Sequence, residues 1–151
     1  MGQSLAKIFV HIVFSTKGRR AFLQHKPSRL ALHKCLAKTC NDLGSPCIEV
    51  GGVEDHVHIL CRLSTTSSVA GLIKELKRVS SAWAKNELPA VGALYWQSGY
   101  GAFSISPSHV SLIQKYIQNQ EQHHQRVSFQ DEFRRLLAKY GLECDERYVW
   151  D

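Results

Sequence analysis

DHVHIL, residues 55–60, alternates polar and apolar side chains, and its reading decides how the chain folds around it. A period of two marks a strand, so Val57, Ile59 and Cys61 share one face and His56 and His58 the other, about 7 Å apart along the backbone. The apolar face needs a covering layer. The other face places two imidazoles side by side, and imidazole nitrogen is a common ligand for divalent cations. An exposed face that happens to carry two histidines fits the spacing equally well, because His-x-His supplies only a pair of ligands.

Upstream, Pro46 to Val53 (PCIEVGGV) predicts a second strand, with Gly51-Gly52 as a turn or bulge, so the two strands form an antiparallel hairpin. Ser28 to Leu43 predicts a helix, opened near Pro27-Ser28 and closed by Gly44, with Leu32, Leu36 and Leu43 facing inward. Lys7 to Ser15 (KIFVHIVFS) is apolar on both faces and suits a central strand covered on both sides. His11 inside it reads first as a packed core histidine and second as a residue lining a site. The strand runs into Thr16-Lys17-Gly18-Arg19-Arg20, which is either solvated loop charge or a phosphate contact.

Downstream, Thr66 to Lys85 is the clearest helix, with Val69, Leu72, Ile73, Leu76, Val79 and Trp83 as its buried stripe. Lys74, Lys77, Arg78 and Lys85 line its other side, as a solvated face or a surface for a polyanion. Leu94 to Ile105 (LYWQSGYGAFSI) reads as two short strands or one strand with a bulge. Ser106-Pro107 then opens a helix that continues to about His124. On it Tyr116 and Gln120 are four residues apart and share a face, although with Ile113 and Ile117 beside it a packed tyrosine is the ordinary reading of Tyr116. A last helix runs from Ser128 to Gly141 with Asp131 at the capping-box position, and the tail 145–151 brings Tyr148 and Trp150 back to the domain. The order β-α-β-β-α-β(β)-α-α predicts an α+β fold, an antiparallel sheet with helices packed on one face, of the ferredoxin-like kind. At 151 residues, positions 1–151 are expected to form one domain.

The formal charge is +6, yet positions 1–130 alone carry a net +8 and the last 21 residues are acidic by two. The body of the domain is therefore basic, which points to a polyanion partner, nucleic acid before membrane. No apolar run approaches the ~20 residues of a membrane span and the N-terminus lacks a signal-peptide pattern, so a cytoplasmic protein is expected. Five cysteines without CxxC spacing read as reduced thiols. Cys35, Cys40 and His33 fall within one helical pattern and read as core rather than as a zinc cluster.

The chain resembles the single-tyrosine HUH transposases of bacterial insertion sequences, which move DNA as single strands. DHVHIL (55–60), WQSGYGAFSIS (96–106) and YIQNQEQHH (116–124) carry the resemblance. VHIVFSTKGRR (10–20) matches the family's first strand and basic turn, and FQDEFRRLLAKYGLECDERYVWD (129–151) its C-terminal end. Gly18 departs from it, standing where many members carry an aromatic residue.

The resemblance implies the HUH endonuclease fold, His56 and His58 as a metal-binding pair, Gln120 as third ligand and Tyr116 as nucleophile. It implies magnesium or manganese as cofactor, and a homodimer that cuts and rejoins single-stranded DNA near hairpins through a 5′-phosphotyrosine. The chemistry is coherent, since a divalent cation draws charge off a phosphodiester and a covalent tyrosyl phosphate keeps the bond energy for rejoining. Lys17, Arg19, Arg20, Lys74, Lys77, Arg78 and Lys85 are the expected DNA contacts. Glu54 and Asp55 either assist around the metal or form a solvated acid pair. The competing readings are a non-catalytic nucleic-acid-binding module, a replication-initiator-type nicking nuclease, a metal-dependent hydrolase, and a domesticated relative acting on chromosomal palindromic repeats.

Overall fold

Phe9–Ser15, strand β1, is buried along its whole length, as a segment apolar on both faces requires. In the computed structural model, which describes residues 2–89 and 91–151, β1 lies inside a four-stranded sheet. β2 (Cys47–Gly52), β3 (His56–Arg62) and β4 (Gly101–Ile105) complete it in the order β2-β3-β1-β4. Every neighbouring pair is antiparallel, and β2 with β3 is the expected hairpin. The register sets Val13 against His58, Ser15 against His56 and His11 against Phe103, which puts all of these side chains on one face.

The opposite face carries Val10, Ile12, Phe14, Val57, Ile59 and Cys61 beneath α1 (Lys26–Asp42) and α2 (Val69–Glu87). Leu32, Leu36 and Cys40 from α1 and Leu72, Ile73 and Leu76 from α2 fill that layer. Each leucine or isoleucine among them contributes about 1.5–3 kcal/mol by leaving water. α2 starts at Val69, later than the expected Thr66, because Ser68 caps it by accepting from the Gly71 N–H at 3.0 Å. Trp96 closes the edge, its indole N–H donating to Ser80 Oγ at 3.0 Å. Leu43, expected inward, instead caps α1 and is exposed.

The two helices expected on one face are α1 and α2. The histidine face is also covered, by α3 (Val110–Gln118), α4 (Gln120–His123) and α5 (Phe129–Lys139). Two small apolar clusters hold this second layer. Phe129, Phe133 and Leu137 pack on Val13 and Phe103, while Ile117 packs on Phe9, Leu60 and Ile105.

Three expectations change in detail. The helix expected to run to His124 breaks at Asn119 (φ −96°, ψ 18°), dividing it into α3 and α4. Leu94 to Ile105 holds one strand, β4, preceded by a lone bridge between Thr16 and Trp96. Gly51-Gly52 ends β2 rather than turning the chain, and the irregularity falls between Cys47 and Glu49. Gly51 serves a close approach instead: a Cβ there would lie 2.5 Å from the Ile117 carbonyl oxygen, so its absence lets α3 rest on β2. No helix among the described residues is long and apolar enough to cross a membrane.

Candidate active site

The strand alternation turns both His56 and His58 inward beneath the second helical layer, and each is fully buried. A buried imidazole needs polar partners. His56 Nδ1 lies 2.7 Å from Asp55 Oδ1, which leaves Nε2 aimed into the layer. His58 Nδ1 lies 2.8 Å from Nε2 of His11 on the adjacent strand. His11 thus takes its second reading, as a residue lining the site.

From above, α5 contributes Glu132. Its Oε1 is 2.9 Å from His58 Nε2, 3.1 Å from His124 Nε2 and 3.3 Å from His56 Nε2. Its Oε2 accepts hydrogen bonds from the Gln120 amide at 3.0 Å and from the Tyr116 hydroxyl. Gln120 Oε1 faces His56 Nε2 at 3.1 Å and His124 Nε2 at 2.9 Å. Nitrogen or oxygen atoms of His56, His58, His124 and Glu132 all lie within 4.8 Å of one another. Such a cluster of buried imidazoles around one carboxylate, with an amide oxygen beside it, is a donor set that fits a divalent cation.

The electrostatics divide the histidines. Burial works against a charge on His56, but Asp55 and Glu132 outweigh it and raise its pKa to about 9. Burial prevails at His58, lowering it to about 4, and at His11, lowering it to about 3 with help from His58. Glu132 is held well below the usual carboxylate range, because hydrogen bonds from His124, His56 and His58 overcome its burial. Tyr116 is pushed above its ordinary value by burial and by the charge of Glu132.

Of the residues singled out from the sequence, His56, His58, Tyr116 and Gln120 meet here. Asp55 touches His56, whereas Glu54 is exposed. Lys17, Arg19 and Arg20 line a separate cleft of about 790 Å³ together with Tyr95 and Trp150. The Phe129 ring stands between the two regions, 4.4 Å from that of His56 and 6.3 Å from that of Trp150. Trp150 packs as expected, but Tyr148 is exposed.

The α2 residues lie across the sheet from Tyr116. Lys77 is not part of a free basic stripe: its Nζ donates to the carbonyls of Gln97 and Gly99 at 2.8 Å each, and burial lowers its pKa to about 8. Arg78 is paired with Glu75, while Lys74 and Lys85 are exposed.

Glu132 and His124 went unrecognised in the sequence. Glu132 had a signal, since it lies three residues after Phe129 and four before Leu136, on the apolar side of its helix. A carboxylate there must find buried partners.

The IS200-like transposase family model matches residues 4–120, a span that includes His56, His58, Tyr116 and Gln120 and stops short of His124 and Glu132. No curated protein matches the chain. Among solved structures, a protein from Deinococcus radiodurans R1, provisionally described as a transposase, superposes with a TM-score of 0.62 at 23% identity, over 80% of this chain and 96% of that one. A REP-associated tyrosine transposase bound to a REP hairpin superposes with a TM-score of 0.60 at 15% identity, over 84% of this chain and 74% of that one. At these identities the likeness is one of fold, and it agrees with the antiparallel α+β architecture. The match over residues 4–120 goes further: the chain belongs to the IS200-like transposase family.

Proposed function

We propose that the protein cuts and rejoins single-stranded DNA through a covalent phosphotyrosine at Tyr116, assisted by a divalent cation at His56, His58 and Gln120. The observation that carries this reading is Glu132, a single buried carboxylate that contacts the Tyr116 hydroxyl, Gln120 and both histidines of the HUH pair. Nucleophile and ligand set therefore converge on one point, as phosphoryl transfer requires.

A bound cation supplies charge neutralisation at the scissile phosphate. Magnesium or manganese is the proposed cofactor, and a set this rich in imidazole suits manganese better than the oxygen-preferring magnesium. The chain's own residues do the rest. Asp55 and His11 orient His56 and His58 through their outer nitrogens. Glu132 fixes the direction of the Tyr116 hydroxyl and keeps it protonated while the site is at rest. When the phenolic oxygen attacks phosphorus, the bond to the 3′ oxygen breaks. The DNA 5′ phosphate stays on tyrosine, and a free 3′-hydroxyl departs carrying a proton. The same hydroxyl of another strand reverses the reaction and joins the two.

The proposed substrate is a hairpin-bearing single strand at an insertion-sequence end, and the proposed assembly is a homodimer. A denaturing gel with DNA labelled at each end in turn tests the chemistry. Wild-type protein is expected to form an adduct with the fragment that begins at the cut 5′ phosphate, and Tyr116→Phe to bind DNA without forming one. An adduct that survives in Tyr116→Phe, or turnover with no adduct at all, returns the site to another nucleophile or to a water-using hydrolase.

A further inference from the structure

Two clefts open on Tyr116 and meet there. One, of about 720 Å³, has polar and basic walls that include Asn119, Gln122 and Arg126. The other, of about 230 Å³, is mostly apolar in surface, walled by Ile113, Leu136 and Tyr140, and also reaches His11, Glu132 and Lys139. Tyr116, His123 and Arg135 belong to both, so a trough crosses the nucleophile with a polar limb on one side and an apolar limb on the other.

Arg135 stands at the junction, one turn after Glu132 on α5, and is exposed. Its neighbour Arg134 is tied to Asp131 and Glu146, whereas Arg135 has no ion pair among the described residues. An unpaired guanidinium beside a nucleophile for phosphodiesters is suited to a bidentate grip on phosphate oxygens. The apolar limb needs its own account. Nothing in metal binding or in the attack by Tyr116 calls for aliphatic walls and an aromatic ring, whereas an unstacked base does, because its faces shed water onto such surfaces.

We infer that the apolar limb between α3 and α5 is a nucleobase subsite. It takes one base flanking the scissile phosphate, while Arg135 holds that phosphate at the junction. This rests on the reading that Tyr116 attacks single-stranded DNA. It adds that the protein itself reads one position of the cleavage sequence, by the shape and stacking of an extruded base.

The test uses full-length Tyr116→Phe protein with Mn²⁺ and single-stranded oligonucleotides spanning the cleavage position mapped with the parent protein. An abasic residue is moved one nucleotide at a time through the flanks. One position beside the scissile phosphate is expected to lose about tenfold in affinity, the scale of a lost base stack, and the other positions far less. Leu136→Trp, which fills the limb, is expected to erase that difference. Arg135→Ala is expected to weaken binding to every sequence and to lower the slope of log affinity against log salt by about one. A 2-aminopurine at the sensitive position, expected to lose fluorescence on binding, gives a readout free of any change in the limb. A flat abasic scan, or unchanged 2-aminopurine emission, overturns the subsite and leaves the phosphotyrosine chemistry standing. Failure of the parent protein to cleave any single strand removes that chemistry, and the subsite with it.

Discussion

The two faces of the sheet are built on opposite plans. Beneath α1 and α2 the layer is almost wholly apolar and continuous, from Val10 to Phe14 on one strand and Val57 to Cys61 on the next. Beneath α3 to α5 the apolar contacts split into two small clusters, and a polar network of His11, His56, His58, Gln120 and Glu132 occupies the space between them. One strand, β3, serves both faces by simple alternation. The first face holds the molecule together. The second trades apolar contact for a charged centre whose stability depends on protons, and the two can be separated by experiment.

The largest difference is expected in activity. His58→Ala is expected to reduce metal-dependent cleavage by about a thousandfold or more, since the nucleophile alone cannot offset phosphate charge. Chelation is expected to do the same to wild-type protein, and manganese to restore it. Cleavage by His58→Ala at the wild-type rate would move the centre off this face. His56→Ala mixed with Tyr116→Phe adds a test of assembly. Recovered cleavage shows a tyrosine acting across a dimer, and none in a proven heterodimer places the whole site within one chain.

Leu36→Ala probes the other face. It is expected to cost about 2–5 kcal/mol in urea unfolding, the range for a large-to-small change in a closed core, with cleavage per folded molecule unchanged. Loss of cleavage in the folded fraction would show that the faces are coupled.

Metal-free protein is expected to be most stable near pH 6.5, and the signs follow from the cluster. The folded state binds a proton at His56 up to about pH 9, so that contribution is full below 6.5 and fades as pH rises through 9. It is on the order of 3 kcal/mol. His58 and His11 run the other way. Their folded values near 4 and 3 mean that the unfolded chain takes up protons first, so stability falls as pH drops below 6.5. Urea midpoints from pH 5 to 9 trace both limbs, and His56→Asn is expected to remove the alkaline one. An alkaline limb that persists in this variant belongs to another group.

The smallest effect is expected on α2. Reversing Lys74 and Lys85 to Glu is expected to weaken DNA binding modestly for all sequences and to flatten its salt dependence. Unchanged affinity shows those two charges to be solvated only.

What the sequence disclosed divides along the same lines. Alternation in DHVHIL predicted both the layering of β3 and the convergence of two imidazoles, because period-two geometry acts locally. The proximity of Tyr116 to Gln120 was visible for the same reason, but the break at Asn119 was not, since no glycine or proline marks it. Glu132 stayed hidden beside Asp131. Acids in the first turn of a helix satisfy its dipole and capping, so a second one drew no notice. The anchoring of Lys77 is invisible to helical periodicity, because its carbonyl partners lie 20 to 22 residues downstream.

The bare Cα of Gly51 sets how closely α3 approaches the sheet. Ile117, the residue after Tyr116, presses its carbonyl where a side chain at position 51 would begin. Backbone cannot rotate aside as a side chain can, so even one added methyl group would lift the end of α3 by about 1 Å, which on the proposed chemistry is a misplacement on the scale that costs about a hundredfold in rate. A glycine on the second strand, paired with His58 across the sheet and pressed by Ile117 from above, thus acts on the proposed chemistry as the gauge that sets how far the tyrosine can reach.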